Sequence, residues 1–371
     1  MNPALLTLNA GSSSLKFRLF GLSPDLPYIL GGKVTGLGGQ PEFQVHWQET
    51  SRDESQALPA NTGIDEALAF VLGWLDRAAQ GRRIGAAAHR IVHGGGRDRA
   101  AELLPETVDD LAAYIPLAPQ HQPHNLAAVR ALWRAHPRLR QFGCFDTAFH
   151  AHLGPLAARM ALPDSVTDKG VRRYGYHGLS YAWIADCLRR DHPGLFAGRV
   201  AAAHLGNGAS LCAMRNGQSV DTTMSLTALD GLPMGTRSGA IDPGAILHMQ
   251  KTLGLTADAV ERLLYEDSGL KGLSGISNDV RTLLASPDPR ARFALEYFAH
   301  KTAQAIAGMA VSLGGLDGVV FTGGIGENAE PVRRMILDRL AFLPPFEVLV
   351  LPANEERAMA AEVAAVLAAP A

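Results

Sequence analysis

A pattern that occurs once in each half of the chain constrains the fold most: an apolar strand, a glycine- and serine-rich tip, and a second strand. In the first half, Leu5-Leu6-Thr7-Leu8 runs into Asn9-Ala10-Gly11-Ser12-Ser13-Ser14 and then a β-compatible run from Leu15 to Phe20. In the second half, Val200 to Leu205 runs into Gly206-Asn207-Gly208-Ala209-Ser210, then Leu211 to Met214 and the turn Arg215-Asn216-Gly217. Such a repeat predicts a duplicated fold. Coincidence is the competing reading, since Gly/Ser hairpins are common. A length of 371 residues suggests two domains. No low-complexity linker separates them. The expected boundary follows Asp146, where a strand ends in a polar cluster. It divides the chain into 1–146 and 147–354, with a C-terminal helix, about 355–371, packing back on the first.

Alternation and turn chemistry predict further strands near Tyr28–Thr35, Phe43–Glu49, Ala86–Val92, Gln141–Phe145, Gly318–Phe321 and Phe346–Leu351. The polar segment Ser51–Ala60 reads as a loop. Thr62 with Asp65 reads as a capping box opening a helix whose stripe is Ala67, Leu68, Val71, Leu72 and Leu75. Other helices are expected about Val108–Ala113, Asn125–Ala135, Tyr181–Arg190, Pro243–Tyr265, Arg290–Leu313 and Glu355–Leu367.

Composition narrows the function classes. Apolar residues make up 47% and charged residues 19%, enough to bury real cores. A net charge of −2 gives no general attraction to nucleic acid or an anionic membrane. Cys144, Cys187 and Cys212 have neither disulfide-framework nor zinc spacing and read as small hydrophobes in a reducing compartment. The N-terminus has no basic region or cleavage site, and the apolar stretch 302–321 is broken by Gln304, three glycines and Asp317. A cytoplasmic globular protein is the expectation.

Three glycine-rich turns each follow a strand: at 9–14, at 206–210 and at Thr322-Gly323-Gly324-Ile325-Gly326-Glu327-Asn328. Backbone N–H groups and hydroxyls in such turns can cradle phosphate. None matches the P-loop or the Rossmann fingerprint. One alone is a structural hairpin; three, two of them in equivalent positions, point toward a nucleotide. Ser12 and Lys16 lie at the first tip, where a lysine among neutral donors suits a polyphosphate; a solvent-facing Lys16 is the alternative.

Arg90, on an apolar strand beside His89 and His93, and Arg237, in Gly235-Thr236-Arg237-Ser238-Gly239, each need an anionic partner. That partner is either a structural carboxylate or a transferring phosphoryl group. Asp146 reads as a site carboxylate or a helix N-cap. His121 and His177 read as structural or functional, and no helical histidine spacing implies a metal site.

These motifs taken together resemble the acetate kinase family, within the superfamily of sugar kinases, heat-shock 70 chaperones and actin. The resemblance runs over nearly the whole chain and is carried by NAGSSSLKF (9–17), HRIVHGG (89–95), FDTAFH (145–150), RRYGYHG (172–178), HLGNGAS (204–210), MGTRSG (234–239) and GGIGEN (323–328). It implies an α/β, duplicated ribonuclease H-like (actin-like ATPase) two-domain fold with a central interdomain cleft. It further implies reversible, direct in-line transfer of the ATP γ-phosphoryl group to acetate, giving acetyl phosphate and ADP. Mg²⁺, with Mn²⁺ as a substitute, a homodimer and a cytoplasmic location follow from the same resemblance. Asp146, Arg90, Arg237, His177 and His121 match the catalytic positions. Val92, Gln120, Tyr176 and Ala228, with Arg90, match the acceptor pocket. Ser12, Lys16, His204, Gly206, Asn207, Gly208, Asp279, Arg281, Gly324, Ile325 and Asn328 match nucleotide positions, and Asn9 and Glu355 the metal positions.

The chain departs from the family in that pocket, where Gln120, Tyr176 and Ala228 replace Leu, Phe and Pro. Either these polar groups face the acceptor and favour propionate or a hydroxy acid, or Gln120 bonds its own loop and Tyr176 turns its hydroxyl to solvent. Leu179 and Ala240 also replace the usual Thr and Asp. A non-catalytic nucleotide-binding module is the remaining reading. It has no need of Arg90, Asp146, His177 and Arg237 together.

Overall fold

The computed structural model describes residues 3–48, 51–78 and 83–369. The chain forms two compact units, 1–148 with 354–371, and 149–353. The first is built on strands β1 (Ala4–Ala10), β2 (Ser14–Gly21), β3 (Tyr28–Thr35), β4 (Glu42–Trp47), β5 (Asp53–Ala57), β6 (Ile84–Ile91), β7 (Ala101–Glu102) and β8 (Arg140–Phe145). Their order in the sheet is β5-β4-β3-β2-β1-β6-β8-β7. β1 is antiparallel to β2 and parallel to β6, and β6 is parallel to β8. β1 is buried on both faces apart from Asn9, so it reads as an apolar run without alternation. The helix Ile64–Ala78 lays its predicted stripe, Ala67 to Leu75, into a core with Phe17, Leu30 and Phe43. The helix Glu355–Ala368 packs on β1, β6 and β8.

The second unit carries β9 (Arg199–Leu205), β10 (Ala209–Arg215), β11 (Gln218–Thr222), β12 (Gly318–Thr322) and β13 (Glu347–Val350), in the order β11-β10-β9-β12-β13. Numbered within the unit, that is 3-2-1-4-5. The middle of the first sheet, β3-β2-β1-β6-β8, has the same order and the same mix of antiparallel and parallel pairs. The hairpin repeat is thus part of a duplicated sheet. The long helix Pro289–Leu313, opened by Asp288 accepting from the Arg290 N–H at 2.8 Å, packs on β9, β10 and β11.

Several local expectations are corrected. The polar segment after residue 51 is not all loop: Asp53–Ala57 pairs with β4 as an edge strand, its side chains too exposed to leave an alternating signature. The expected end of β4 at Glu49 lies outside the described residues. Thr62 does not cap its helix; its hydroxyl donates to the Pro59 carbonyl at 2.6 Å, while Glu66 accepts from the Gly63 N–H at 3.0 Å. The stretch 243–265 is two helices, Pro243–Lys251 and Ala257–Glu266, parted at Gly254, whose φ is +72°. The turn at 323–328 is a short helix, Gly323–Asn328. Gly323 has φ +79°, and a Cβ there would stand 2.8 Å from the Leu205 carbonyl oxygen, so only glycine lets β12 turn into it.

Candidate active site

In the first unit, the parallel strands β6 and β8 end beside each other, and Arg90 and Asp146 meet there. Arg90 Nε and Nη2 donate to Asp146 Oδ1 and Oδ2 at 3.0 and 2.7 Å, a bidentate pair. Its Nη1 donates to Glu355 Oε2 at 2.7 Å. The Asp146 N–H donates to the Ile91 carbonyl at 3.1 Å, which fixes the carboxylate relative to the arginine strand. Asp146 is 2% exposed, so the pair is nearly dry. Burial pulls Arg90 down, and the two carboxylates more than offset it, so its pKa lies above the usual value. Burial lifts Asp146 above the usual aspartate range against the pull of Arg90, with Glu355 adding to the rise. Of the two partners open for Arg90 from sequence, a structural carboxylate is present. Three of the five guanidinium N–H groups serve these bonds, leaving two for another anion among the described residues.

Glu355 opens its helix. Asn354 caps that helix by accepting from the Arg357 N–H at 3.2 Å, and Arg18 donates to Asn354 Oδ1 at 2.7 Å. Arg18 also lies 3.5 Å from Glu356, so both first-turn carboxylates have guanidinium neighbours. Asn9 is half-buried near the end of β1, opposite Lys16 in the ladder, and Lys16 and Ser12 are exposed. Val92 is buried; Gln120 and His121 are half-buried just before the helix Gln122–Ala135.

Four residues here escaped sequence reasoning. Asn125 accepts from the Val92 N–H at 3.0 Å and donates to the Ala10 carbonyl at 2.8 Å, joining the ends of β1 and β6. Gln122 accepts from the His93 N–H at 3.0 Å and donates to the His93 and Leu111 carbonyls. Thr147 Oγ1 accepts from the Gly94 N–H at 3.1 Å. Together they satisfy the backbone where the chain leaves the sheet around Arg90. The signal for the two amides was their place on the buried face shared by Leu126, Val129 and Leu132. The fourth is Glu362, whose carboxyl burial and the nearby Asp146 raise to about 7.

In the second unit, His177 sits at φ +59°, ψ +22°, immediately before the helix Gly178–Asp191. A non-glycine residue held in this region marks a constrained position. Its Nδ1 lies 2.9 Å from Ser210 Oγ, and its ring stacks on His204 at 4.3 Å. His204 Nδ1 lies 2.9 Å from Ser180 Oγ. A Cβ placed on Gly208 would stand 3.2 Å from His177 Nε2 and 4.0 Å from Arg237 Nη1, so the hairpin tip, the histidine and the arginine converge. Burial lowers the Arg237 pKa from the usual arginine value. Its Nη1 donates to the Ala228 carbonyl at 3.1 Å, and the guanidinium lies 5.8 Å from the Tyr265 ring centre.

Tyr176 differs from both sequence expectations. Its side chain is 1% exposed, so it does not reach solvent, and its hydroxyl donates to the Leu226 carbonyl at 2.8 Å, so it is not an unpaired group either. Two contacts thus fasten the segment 226–228, one from Tyr176 and one from Arg237.

The remaining nucleotide positions fall in two groups. Gly206 lies at the hairpin tip, where a Cβ would come 4.0 Å from the Gly324 N–H nitrogen, so the tip and the 323–328 segment are neighbours. Asn207 joins that tip to two other loops, its carbonyl accepting from the Gly235 N–H at 3.0 Å and its Oδ1 from Asn278 Nδ2 at 3.0 Å. Gly324 and Asn328 are exposed and Ile325 is half-buried; Asn328 Nδ2 donates to the Gly324 carbonyl at 2.9 Å. Asp279 caps the helix Val280–Ala285 and pairs with Arg281 at 2.6 Å, and the bonds from Arg281 hold its carboxyl at about 2.

Two sheets of one 3-2-1-4-5 order, each with its polar groups where parallel strands end, place the molecule in the actin-like ATPase class of α/β folds. Comparison with known proteins narrows this. A family profile described as the Acetokinase family matches residues 4–361. An acetate kinase of Rhodopseudomonas palustris (strain TIE-1) is 47% identical over 349 residues, 92% of this chain and 87% of that protein. A crystal structure of a propionate kinase from Francisella tularensis superposes with a TM-score of 0.88 at 31% identity, over 97% of this chain and 98% of that one. An acetate kinase from Porphyromonas gingivalis superposes with a TM-score of 0.85 at 32% identity, over 98% and 100%. The chain belongs to the acetokinase family.

Proposed function

We propose that the protein is an acetate kinase, transferring the γ-phosphoryl group of ATP to acetate to give acetyl phosphate and ADP. The observation that carries this reading is Arg90, locked by Asp146 and Glu355 at the ends of parallel strands with two N–H groups to spare. Such a preset guanidinium can hold an anionic acceptor without reorganising. Phosphoryl transfer passes through a loose transition state, so positioning and charge stabilisation supply most of the catalysis. Arg237 and His177, converging on Gly208, are the groups that meet the equatorial oxygens of the transferring phosphoryl. Asp146 holds Arg90 in register, and His121 contributes a further phosphate contact. Ser12, Lys16, His204, Asn207 and the 323–328 segment hold the phosphates and, with Asp279 and Arg281, the adenosine.

Mg²⁺ fits the residues at hand. Asn9 and Glu355 offer an amide and a carboxylate oxygen. Mg²⁺ commonly takes one or two protein oxygens, with water and substrate phosphate completing the octahedron. When bound it would neutralise charge on the phosphates.

Acetate is preferred to larger acids because the Tyr176 hydroxyl is already spent on Leu226. Ala228, smaller than the family's proline, supports the second reading, a propionate kinase. An acyl-hydroxamate assay over short carboxylates with ATP and Mg²⁺ tests both. Absence of turnover with every acid would refute the kinase reading, and faster turnover of propionate would select the second.

A homodimer is part of the proposal. Exposed Leu247, Leu253, Phe293, Val311 and Phe342 in the second unit support it, and a monomer in sedimentation equilibrium would remove it. The free thiols of Cys144, Cys187 and Cys212 support a cytoplasmic location, as cell fractionation can check. Among the described residues no helix is long and apolar enough to cross a membrane.

A further inference from the structure

We propose that Tyr181 and Ser210 form a hydrogen-bond relay that fixes the tautomer of His177, so that its Nε2 carries the proton and donates toward the Gly208 tip. The inference rests on the reading that His177 serves phosphoryl transfer. Ser210 and Tyr181 are fully buried, and Tyr181 Oη lies 2.5 Å from Ser210 Oγ, which lies 2.9 Å from His177 Nδ1. The direction of the chain follows from its buried end. Among the described residues the hydrogen-bond partner of the buried Tyr181 Oη is Ser210 Oγ. The phenol proton therefore has Ser210 Oγ as its acceptor. Ser210 then gives its own proton to Nδ1, which must accept. A neutral imidazole that accepts at Nδ1 carries its hydrogen on Nε2.

The opposite tautomer runs the chain backwards. His177 Nδ1–H would donate to Ser210, Ser210 to Tyr181, and the buried phenol proton would be left without an acceptor among the described residues. Such an arrangement leaves a dry donor unsatisfied and is disfavoured. Nε2 is the ring atom near Gly208 and Arg237, so the relay presents a neutral N–H beside a guanidinium, where a phosphoryl oxygen can take both. The left-handed backbone at His177 and the stack on His204 hold the ring plane; the relay holds the proton. Tyr181 and Ser210 are thus positioning residues that touch no reacting atom.

Two-bond ¹H–¹⁵N correlation spectra of the full chain labelled with ¹⁵N-histidine read the tautomer directly, with His177 assigned by loss of its signals in His177→Asn. The expected wild-type pattern is Nε2–H. Ser210→Ala and Tyr181→Phe should each shift it toward a tautomer mixture, and Ser210→Thr should restore it. The kcat of Ser210→Ala should fall on the order of 10-fold or more with nucleotide KM within a factor of two, since a wrong tautomer costs far more in hydrolase triads. An Nδ1–H signal in the wild type would overturn the relay. So would an unchanged tautomer in both Ser210→Ala and Tyr181→Phe, which guards against one variant failing to fold. A tautomer shift with unaltered kcat keeps the relay and removes His177 from the transfer step.

Discussion

Replacing Arg90 by alanine separates what the arginine does for the fold from what it does for the reaction. The substitution removes three charge-assisted bonds, at 2.7, 2.7 and 3.0 Å, and leaves the Asp146 carboxylate 2% exposed without its counter-ion. Breaking a buried pair by removing one partner costs about 3–5 kcal/mol. For a unit of this size that lowers the melting temperature by roughly 6–20 °C. The loss should depend on pH. Without Arg90, burial and Glu355 raise the folded-state pKa of Asp146 further above its unfolded value, so the folded state binds more protons. Stability then falls as pH rises from the unfolded pKa through the folded one, and the deficit shrinks at acid pH. Adding Asp146→Asn to Arg90→Ala removes the stranded charge and should recover much of the melting temperature but none of the activity. The rate should fall at least ~10²-fold in both variants, as when a positioned donor is removed. Calorimetry from pH 4 to 8 with steady-state kinetics reads all of this. A folded Arg90→Ala protein with near-normal kcat would refute the catalytic reading, and one with wild-type stability at every pH would refute the energetic one.

Glu362 should impose a pH dependence of its own. Its folded pKa, about 7, lies above the unfolded value, so it withdraws up to about 3 kcal/mol as pH rises from about 4.5 through 7; Glu362→Gln should flatten that part of the stability profile, and an unchanged profile would refute its buried placement. Tyr176→Phe leaves the Leu226 carbonyl without its donor and should cost about 1 kcal/mol of stability while leaving the acetate-to-propionate ratio of kcat/KM within a factor of two; a strong swing toward acetate in the double variant with Gln120→Leu would show that polar groups do face the acceptor. Removing divalent ions should abolish turnover, Mg²⁺ should restore it, and elemental analysis should find no stoichiometric zinc; turnover that survives chelation would exclude the metal role of Asn9 and Glu355.

Much of the scaffold was legible because its signals are local. The two hairpins, the stripe from Ala67 to Leu75 and the strand ends around Arg90 and Asp146 all follow from short-range pattern and turn chemistry. Expectations failed where pairing partners decide the state. Asp53–Ala57 is polar and exposed, and only its ladder with β4 makes it a strand. Residues 323–328 have glycines suited to an open turn, yet Glu327 accepts from the Gly323 and Ala353 N–H groups at 2.9 Å and steadies a helix there. For Arg90 the residue type announced the need for an anion but not which anion. Glu355 lies 265 positions away, and no spacing rule reaches that far. The same holds for Gln122 and Asn125, whose amides matter through backbone groups 29 and 33 positions earlier in the chain.

The duplication explains why chemistry of two kinds can sit on one architecture. In open α/β sheets the ends of parallel strands leave polar backbone groups where side chains can converge. In the first sheet β1, β6 and β8 end at Ala10, Ile91 and Phe145, beside Asn9, Arg90 and Asp146, and the backbone leaving β1 and β6 is closed by the Asn125, Gln122 and Thr147 side chains. With the backbone satisfied, the site can hold concentrated charge, one guanidinium between two carboxylates, without leaving buried amides orphaned. In the second sheet β9 and β12 run into the Gly206–Gly208 tip and into Gly323, where missing side chains let the two segments approach closely and the N–H groups are closed locally, Gly206 by the Gly208 carbonyl and Gly323 by Glu327. Charge there comes from Arg237, outside the strands, and neutral polar groups from His177 and Asn207, whose Oδ1 accepts from Asn278 Nδ2. The two sheets thus share a strand order but differ in what closes the strand ends, a helix side-chain amide in the first and the loop itself in the second. Asn125→Gly tests that logic in the first unit. It frees the Val92 N–H and the Ala10 carbonyl, so it should lower stability by about 2–3 kcal/mol and loosen the hold on Arg90. Unaltered stability and kcat in that variant would mean that the amide closes nothing the site depends on.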